Sequence, residues 1–244
     1  MTTNPTTRSD GRRTDQLRPI AFTPDYTHYA EGSVLITWGE TIVLCNLTIQ
    51  EGVPGWMVGH GSGWLTAEYA LLPRSTHTRT PREIHGLKGR TQEIRRLVGR
   101  ALRMAVDLTL LGERTLLLDC DVLQADGGTR VASITGGYLA LALGLHKLIA
   151  AGAIPAESLR PPIAAVSVGI VQQQPLLDLN YQEDSQAAVD VNIVKNSKGE
   201  YIEVQGTAEG QPFSPAALQQ MLRLADQGIE TILALQNEAL QTML

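Results

Sequence analysis

Apolar residues recur along this chain with two different periods. From 188 to 194, Val189, Val191 and Ile193 alternate with Asp190 and Asn192. A period of two sends alternate side chains to opposite faces, so a strand with one buried face is expected there. Residues 33–50, SVLITWGETIVLCNLTIQ, hold two β-rich runs around Gly39-Glu40, a hairpin pattern. Further strands are expected at 64–72, 115–123 and 201–206, and a second hairpin across 163–180. Helical spacing takes over at 90–111, with Ile94, Leu97, Val98, Ala101, Leu102, Ala105 and Leu108 on one stripe. A second helix runs from Arg130 to the stop at Gly152 and Pro155. A third starts at Ser214-Pro215, an N-cap followed by proline at the first helical position, and carries Leu218, Met221, Leu222, Ala225, Ile229, Ile232 and Leu233 toward residue 244. Residues 52–63 and 72–89 read as loops, including the glycine-rich turn around His60.

The order is hairpin, helix, strand, helix, hairpin, strands, helix. Each half supplies strands and then helical cover, which predicts a single α+β domain over 1–244 with a possible internal duplication. Strands and helices do not alternate regularly enough for a doubly wound parallel sheet. Residues 1–13 are polar and expected to be partly flexible.

Composition narrows the function classes. A hydrophobic share of 43% and a charged share of 18% fit an ordinary globular protein. The apolar run at 131–151 is interrupted by Gly136-Gly137, Gly144 and His146-Lys147, and reads as a core helix rather than a membrane span. No apolar segment opens the chain, so no secretory signal is expected there. Cys45 and Cys120 lie in strand-like runs and suggest buried free thiols in a reducing, cytoplasmic compartment. Net charge is −5, yet residues 74–103 hold nine basic side chains against Glu83 and Glu93. One basic zone on an acidic body suits phosphate-rich ligands, although a solvated helix face would look the same.

Charge placement sharpens this. Gly127-Gly128-Thr129-Arg130 opens one helix and Gly89-Arg90-Thr91 opens another. A cation at the positive end of a helix dipole typically costs about 0.3–1 kcal/mol. A bound anion would compensate both arginines, with free N–H groups and the Thr129 hydroxyl as additional donors. The alternative is a salt bridge from Arg130 to Asp121 or Asp126. No GxxxxGK[ST] run is present, so an ordinary P-loop is not expected.

A second candidate is the carboxylate group of LLDLNYQEDSQAAVDVN, which offers Asp178, Glu183, Asp184 and Asp190. Asp184 and Asp190 are placed to converge, and two hard oxygens completed by water and substrate phosphate are a usual Mg²⁺ site. Solvated acids on a hairpin edge are the plainer explanation. His28, His60, His77, His85 and His146 are scattered and form no nucleophile triad with either cysteine. Phosphate ligands, metal ligands and a basic patch without a covalent catalyst suit phosphoryl transfer.

Several stretches, in order from Arg8 to the C-terminus, resemble the ribonuclease PH family: RSDGRRTDQLRPI, GSGWLTAEYALLPRSTHTR, GRTQEIRRLVGRALR, DCDVLQADGGTRVASITG, LLDLNYQEDSQAAVDVN and EVQGTAEGQPFS. The resemblance implies a phosphate-dependent 3′→5′ exoribonuclease that trims tRNA precursors and other RNA 3′ ends, releasing nucleoside 5′-diphosphates, with a reverse reaction that adds nucleotides. It implies that Arg90, Gly128, Thr129 and Arg130 bind inorganic phosphate and that Asp184 and Asp190 are catalytic and hold Mg²⁺. It implies that Arg74, Arg79 and Arg82 face RNA or a neighbouring subunit, and the basic helix face adds Arg96 and Arg100 as candidate RNA contacts. The family fold is an α+β domain of repeated βαβ units with a left-handed crossover, assembled as a homohexameric ring. Two rivals stay open: a ring subunit that binds RNA without chemistry, and a hydrolytic Mg²⁺ nuclease.

Overall fold

A computed structural model describes residues 8–243. Five strands make the first sheet: β1 (Ile20–Pro24), β2 (Gly32–Trp38), β3 (Thr41–Glu51), β4 (Trp64–Leu71) and β5 (Arg114–Gln124). Their order is β1-β2-β3-β5-β4, antiparallel throughout except where β4 runs parallel to β5. Helix α1 (Gly89–Arg103) is the crossover between that parallel pair. The second sheet is antiparallel, in the order β7-β6-β8-β9, from β6 (Ile163–Val171), β7 (Gln174–Leu177), β8 (Val189–Asn196) and β9 (Tyr201–Ala208). Helix α2 (Thr129–Ala150) follows β5, the short α3 (Tyr181–Asp184) lies between β7 and β8, and α4 (Pro215–Met243) closes the fold.

The mixed α+β architecture read from the periodicities is the one the chain adopts. α2 is apolar all round, and a helix of that kind has to be enclosed. It packs on β2 and β3 of the first sheet and on β6 of the second, so one continuous core serves both sheets. Its length and composition would allow a membrane crossing, but 78% of the apolar window is buried inside the protein. Tight approach is possible because glycines stand at the contacts: a Cβ on Gly32 of β2 would sit 1.9 Å from the Ala140 carbonyl oxygen of α2, and one on Gly137 of α2 would sit 2.6 Å from Leu118 of β5. α4 lays the stripe Met221, Ala225, Ile229 and Ile232 on the second sheet. Buried Gln236 donates to the carbonyls of Thr135 at 2.9 Å and Ile163 at 3.1 Å, tying α4 to α2 and β6.

Three details depart from the sequence reading, and a fourth expectation falls partly outside the described residues. The first helix ends at Arg103, not at residue 111. Ala105 and Leu111 remain buried, but the segment turns to bond with residues 158–160, and Asp107 caps a single 3₁₀ turn at Leu108–Leu110. The apolar pattern persists there while the helix does not. β1 is an additional edge strand, half exposed and ending in proline. α3 is also additional, built on a capping box in which Asn180 and Glu183 exchange side-chain-to-backbone bonds. Lastly, residues 1–7 lie outside the described residues, whereas Arg8 and Arg12 in the polar stretch that suggested a loose terminus are buried ion-pair anchors.

Candidate active site

The cavity of interest lies at the amino ends of α1 and α2, with a volume of about 500 Å³. Tyr69 at the end of β4, Arg90, Gly127 to Arg130, Ser167 on β6, Tyr181 and Asp184 on α3, and Asp190 and Asn192 on β8 all line it. Thr76, His77, Thr78 and Thr80, from the loop after β4, form the remaining wall.

The turn that opens α2 is built from two left-handed glycines, Gly127 at φ 77° and Gly128 at φ 68°. Side chains disfavour that conformation. A Cβ on Gly127 would also meet the Leu179 carbonyl at 2.6 Å, so the turn and the chain entering α3 cross in direct backbone contact. The Thr41 hydroxyl donates to the Gly127 carbonyl at 2.7 Å and accepts from the Asp126 N–H at 3.0 Å. Gly128 is the N-cap and offers no side chain to the helix end, and no acidic residue stands in the first turn. The Ala132 N–H is bonded to the Gly128 carbonyl, so the N–H groups ahead of it have no carbonyl partner within the helix. These groups and a positive dipole end face the cavity.

Thr129 is held in place by Tyr69, whose hydroxyl lies 2.8 Å from Thr129 Oγ1. Burial pushes the Tyr69 phenol up, and the charges of Arg90 and Arg130 pull against that shift. Arg130 donates one nitrogen to Glu93 on α1 at 3.2 Å. Glu93 in turn accepts from Gln205 of β9 at 2.9 Å. The salt bridges from Arg130 to Asp121 or Asp126 are not made; Arg18 is the partner of Asp126. Arg90 is exposed. At its helix end Glu83 supplies some internal compensation, accepting from the Lys88 N–H at 3.0 Å and the Thr91 hydroxyl at 2.9 Å.

Asp184 and Asp190 do converge. Burial raises the carboxyl of Asp190 to about 6, and the charge of Asp184 adds to the shift while Arg130 and Arg90 oppose it. Asp184 is raised by burial too, against Arg90, Arg130 and Arg18. Two arginines and two aspartates thus feel one another across a single cavity. The other two carboxylates of the run are structural. Asp178 is fully buried, accepting from Arg18, Arg12 and the Trp38 indole. Glu183 is paired with Arg8 at 2.6 Å and caps α3. Among the described residues no set of three or more His, Cys, Asp or Glu side chains is arranged to hold a metal ion. A pair of carboxylates is what a magnesium site completed by substrate oxygens and water requires, and the electrostatic tension between Asp184 and Asp190 is what a cation would relieve.

The basic residues divide. Arg74, Arg79 and Arg82 are exposed on the loop of residues 72–88 that walls the cavity. Arg96 and Arg100 are not brought to it. They lie beside a separate concavity on the outer side of α1, where both prongs of Arg100 are taken by Glu203 at 2.8 and 2.9 Å. The same surface holds an Arg95–Glu68 pair and Arg103 stacked over Trp64. Sequence reasoning did not single out Tyr69, Thr41, Arg18, Tyr181 or Asn192. Their positions depend on contacts between distant segments, and only the N-x-x-E spacing of Asn180 and Glu183 signalled the turn that carries Tyr181 and Asp184.

Comparison with known proteins assigns the chain to a family. The sequence matches domain 1 of the 3′ exoribonuclease family over residues 16–144 and domain 2 over residues 161–228. It is 55% identical to the ribonuclease PH of Moorella thermoacetica over 235 residues, spanning 96% of this chain and 94% of that protein. Rice Rrp46 has the same fold, with a TM-score of 0.79 at 20% identity over 96% of this chain and 100% of the other. So does the Archaeoglobus fulgidus exosome subunit solved with RNA bound to the active site, with a TM-score of 0.80 at 22% identity, covering 93% and 91%. With both domains matched in order and a relative of majority identity end to end, the chain belongs to the 3′ exoribonuclease family, among its ribonuclease PH members.

Proposed function

We propose that inorganic phosphate binds between Arg90 and the amino end of α2 and attacks the 3′-terminal phosphodiester of RNA. The chain is a phosphate-dependent 3′→5′ exoribonuclease of tRNA processing. A phosphate oxygen forms a bond to the terminal phosphorus, the 3′-oxygen of the preceding nucleotide leaves with the bonding electrons, and a nucleoside 5′-diphosphate is released. The reverse reaction lengthens the RNA by one nucleotide.

The observation that carries this reading is the convergence of Arg90, Arg130, Asp184 and Asp190 on one cavity. The arginine forks and the exposed N–H groups of α2 hold the attacking oxyanion, and Thr129, fixed by Tyr69, orients it. Holding nucleophile and scissile bond together replaces a bimolecular encounter with a positioned one. Asp184 and Asp190 fit a divalent cation such as Mg²⁺, which when bound would neutralise charge on the reacting phosphoryl group. Asn192 and Ser167 form polar floor beside them, and the exposed Arg74, Arg79 and Arg82 supply charge along the RNA's approach. Assembly as a homohexameric ring in the cytoplasm belongs to the same reading. Exposed Trp56, Ile84 and Met104 offer surface for assembly, and the unpaired Cys45 and Cys120 suit a reducing compartment.

The test is product identity. Incubation of a short RNA with phosphate is expected to give nucleoside diphosphates, with no release when phosphate is withheld; monophosphates formed without phosphate would establish hydrolysis instead.

A further inference from the structure

Three segments that are far apart in sequence meet behind the phosphate turn, and one side chain joins them. Arg18 is buried just before β1. Its Nη1 donates to the Asp126 carbonyl, the residue that leads into Gly127-Gly128. Its Nη2 donates to Asp178 Oδ1 at 2.7 Å, and Nε reaches both oxygens of the same carboxylate at 3.1 Å. The Arg18 backbone N–H also donates to Asp178 Oδ2, at 2.7 Å. The Arg18 stem crosses the β2–β3 turn so closely that a Cβ on Gly39 would lie 2.6 Å from its Cδ. Its far end lies 3.1 Å from where a Cβ on Gly128 would be.

Asp178 is a rigid anchor for this arrangement. It is fully buried and held at φ 57°, a conformation rare outside glycine, and it also accepts from Trp38 at 2.9 Å and Arg12 at 3.2 Å. Asp126 completes the connection: its Oδ1 accepts from the Tyr181 N–H at 3.2 Å, at the start of the helix that ends in Asp184. The turn carrying the phosphate donors is therefore fastened twice to the segment that carries Asp184: through the Arg18 guanidinium on Asp178, and through the Asp126 carboxylate on the Tyr181 N–H. None of the cavity-lining positions includes Arg18.

We infer that Arg18, clamped by Asp178, is a positioning residue for the phosphate turn: it holds the two left-handed glycines and the amino end of α2 at a fixed spacing from Asp184. The inference rests on the proposed phosphate site. A guanidinium is required because it presents several donors in a rigid plane, bonding Asp178 and the Asp126 carbonyl at once, whereas a lysine brings one nitrogen to one place.

The test compares Arg18→Met and Arg18→Lys with the unaltered protein in steady-state phosphorolysis of a short RNA, varying inorganic phosphate and RNA separately. Ile232→Ala, which opens a cavity under α4, serves as a variant of reduced stability remote from the site. Both Arg18 variants are expected to raise KM for phosphate at least tenfold, with kcat changed less than threefold and KM for RNA unchanged, while Ile232→Ala keeps the original KM for phosphate. If Arg18→Met does not fold, Arg18→Lys retains the charge and carries the comparison. A lower melting temperature with an unmoved KM for phosphate would make Arg18 merely structural and overturn the inference, as would full recovery by lysine. Unaltered protein that turns over RNA without phosphate would overturn the functional reading itself, and is distinguished by that control alone.

Discussion

Arg130 at the head of α2 donates a single nitrogen to Glu93 of α1 at 3.2 Å, and Glu93 is held from its other side by Gln205 of β9. One bond orients the guanidinium but leaves most of its donors for a ligand. The contact also runs from the head of one helix to the first turns of the other, so the two arginine-bearing helices are set relative to each other by a carboxylate instead of by packing alone. Hydrogen bonds to charged groups contribute about 1.5–3 kcal/mol each. Arg130→Ala and Arg90→Ala are therefore each expected to raise KM for phosphate roughly 10- to 100-fold, with RNA affinity changed little. Phosphate titrations of both variants, alongside filter binding of RNA, check this.

Asp184→Asn and Asp190→Asn are expected to lower kcat by at least about 100-fold, in line with loss of a charge that acts on the reacting phosphoryl group, while chromatographic size is retained. Single-turnover assays at saturating phosphate, RNA and Mg²⁺ measure it. Addition of EDTA to the unaltered protein should have a comparable effect, reversed by Mg²⁺.

The Asp190 carboxyl, raised to about 6, gives a stability prediction of definite sign. A group whose folded value lies above its unfolded one favours the folded state only while protonated. Its contribution is complete below about pH 4 and is lost as pH rises through about 6. Asp190→Asn removes that penalty, so in EDTA the inactive variant should melt a few degrees higher than the unaltered protein at pH 7.5, and the two should agree near pH 4. Activity of the unaltered protein with Mg²⁺ should fall on the acid side as the carboxylate is protonated, at a pH below the region near 6 that the metal-free stability comparison reads, because a bound cation favours the charged form. Calorimetry and a pH–rate profile read the two effects separately.

Gly127 and Gly128 test the turn. Alanine at either position has to adopt a strained φ, and at 127 its Cβ would press on the Leu179 carbonyl. Strain of this kind costs about 1–3 kcal/mol. Gly127→Ala is expected to be the more damaging, lowering both thermal stability and phosphate affinity, whereas Gly128→Ala meets side chains rather than backbone: the Arg18 guanidinium, Val131 and, at 4.0 Å, the Ser167 hydroxyl. Equal effects of the two would show that the backbone crossing does not matter.

Replacing Arg74, Arg79 and Arg82 together by alanine should weaken RNA binding and flatten its dependence on salt by about 2 units of slope, since each phosphate contact on a single strand contributes about 0.7. Replacing Arg96 and Arg100 should leave the salt slope of RNA binding unchanged, because they lie outside the cavity and Arg100 is already paired with Glu203. Binding isotherms at several salt concentrations distinguish the two sets.

Much of this arrangement is readable from the chain because it is local. Strand alternation at 188–194 and the stripe from Met221 to Ile232 follow from period alone, and the arginines beside Gly128 and Gly89 mark two helix ends by their misplaced charge. What escapes is set by distant partners. Ala105 and Leu111 continue a helical pattern, yet bonding to residues 158–160 ends the helix before them. Asp178 and Asp184 sit in one acidic run and look alike, but the left-handed turn at Asp178 sends its carboxylate into Arg12, Arg18 and Trp38 while Asp184 meets the cavity. Arg96 and Arg100 share a helix with Arg90, but they lie further along its axis and on another face, beside a different concavity.

The central claim is that phosphate held at the head of α2 is the nucleophile, and isotopic oxygen follows it directly. Phosphorolysis of an RNA with phosphate labelled at all of its oxygens with ¹⁸O is expected to release nucleoside diphosphate in which the entire β-phosphoryl group, including the bridging oxygen, carries the label. Unlabelled diphosphate, or monophosphate bearing oxygen from the solvent, would contradict it.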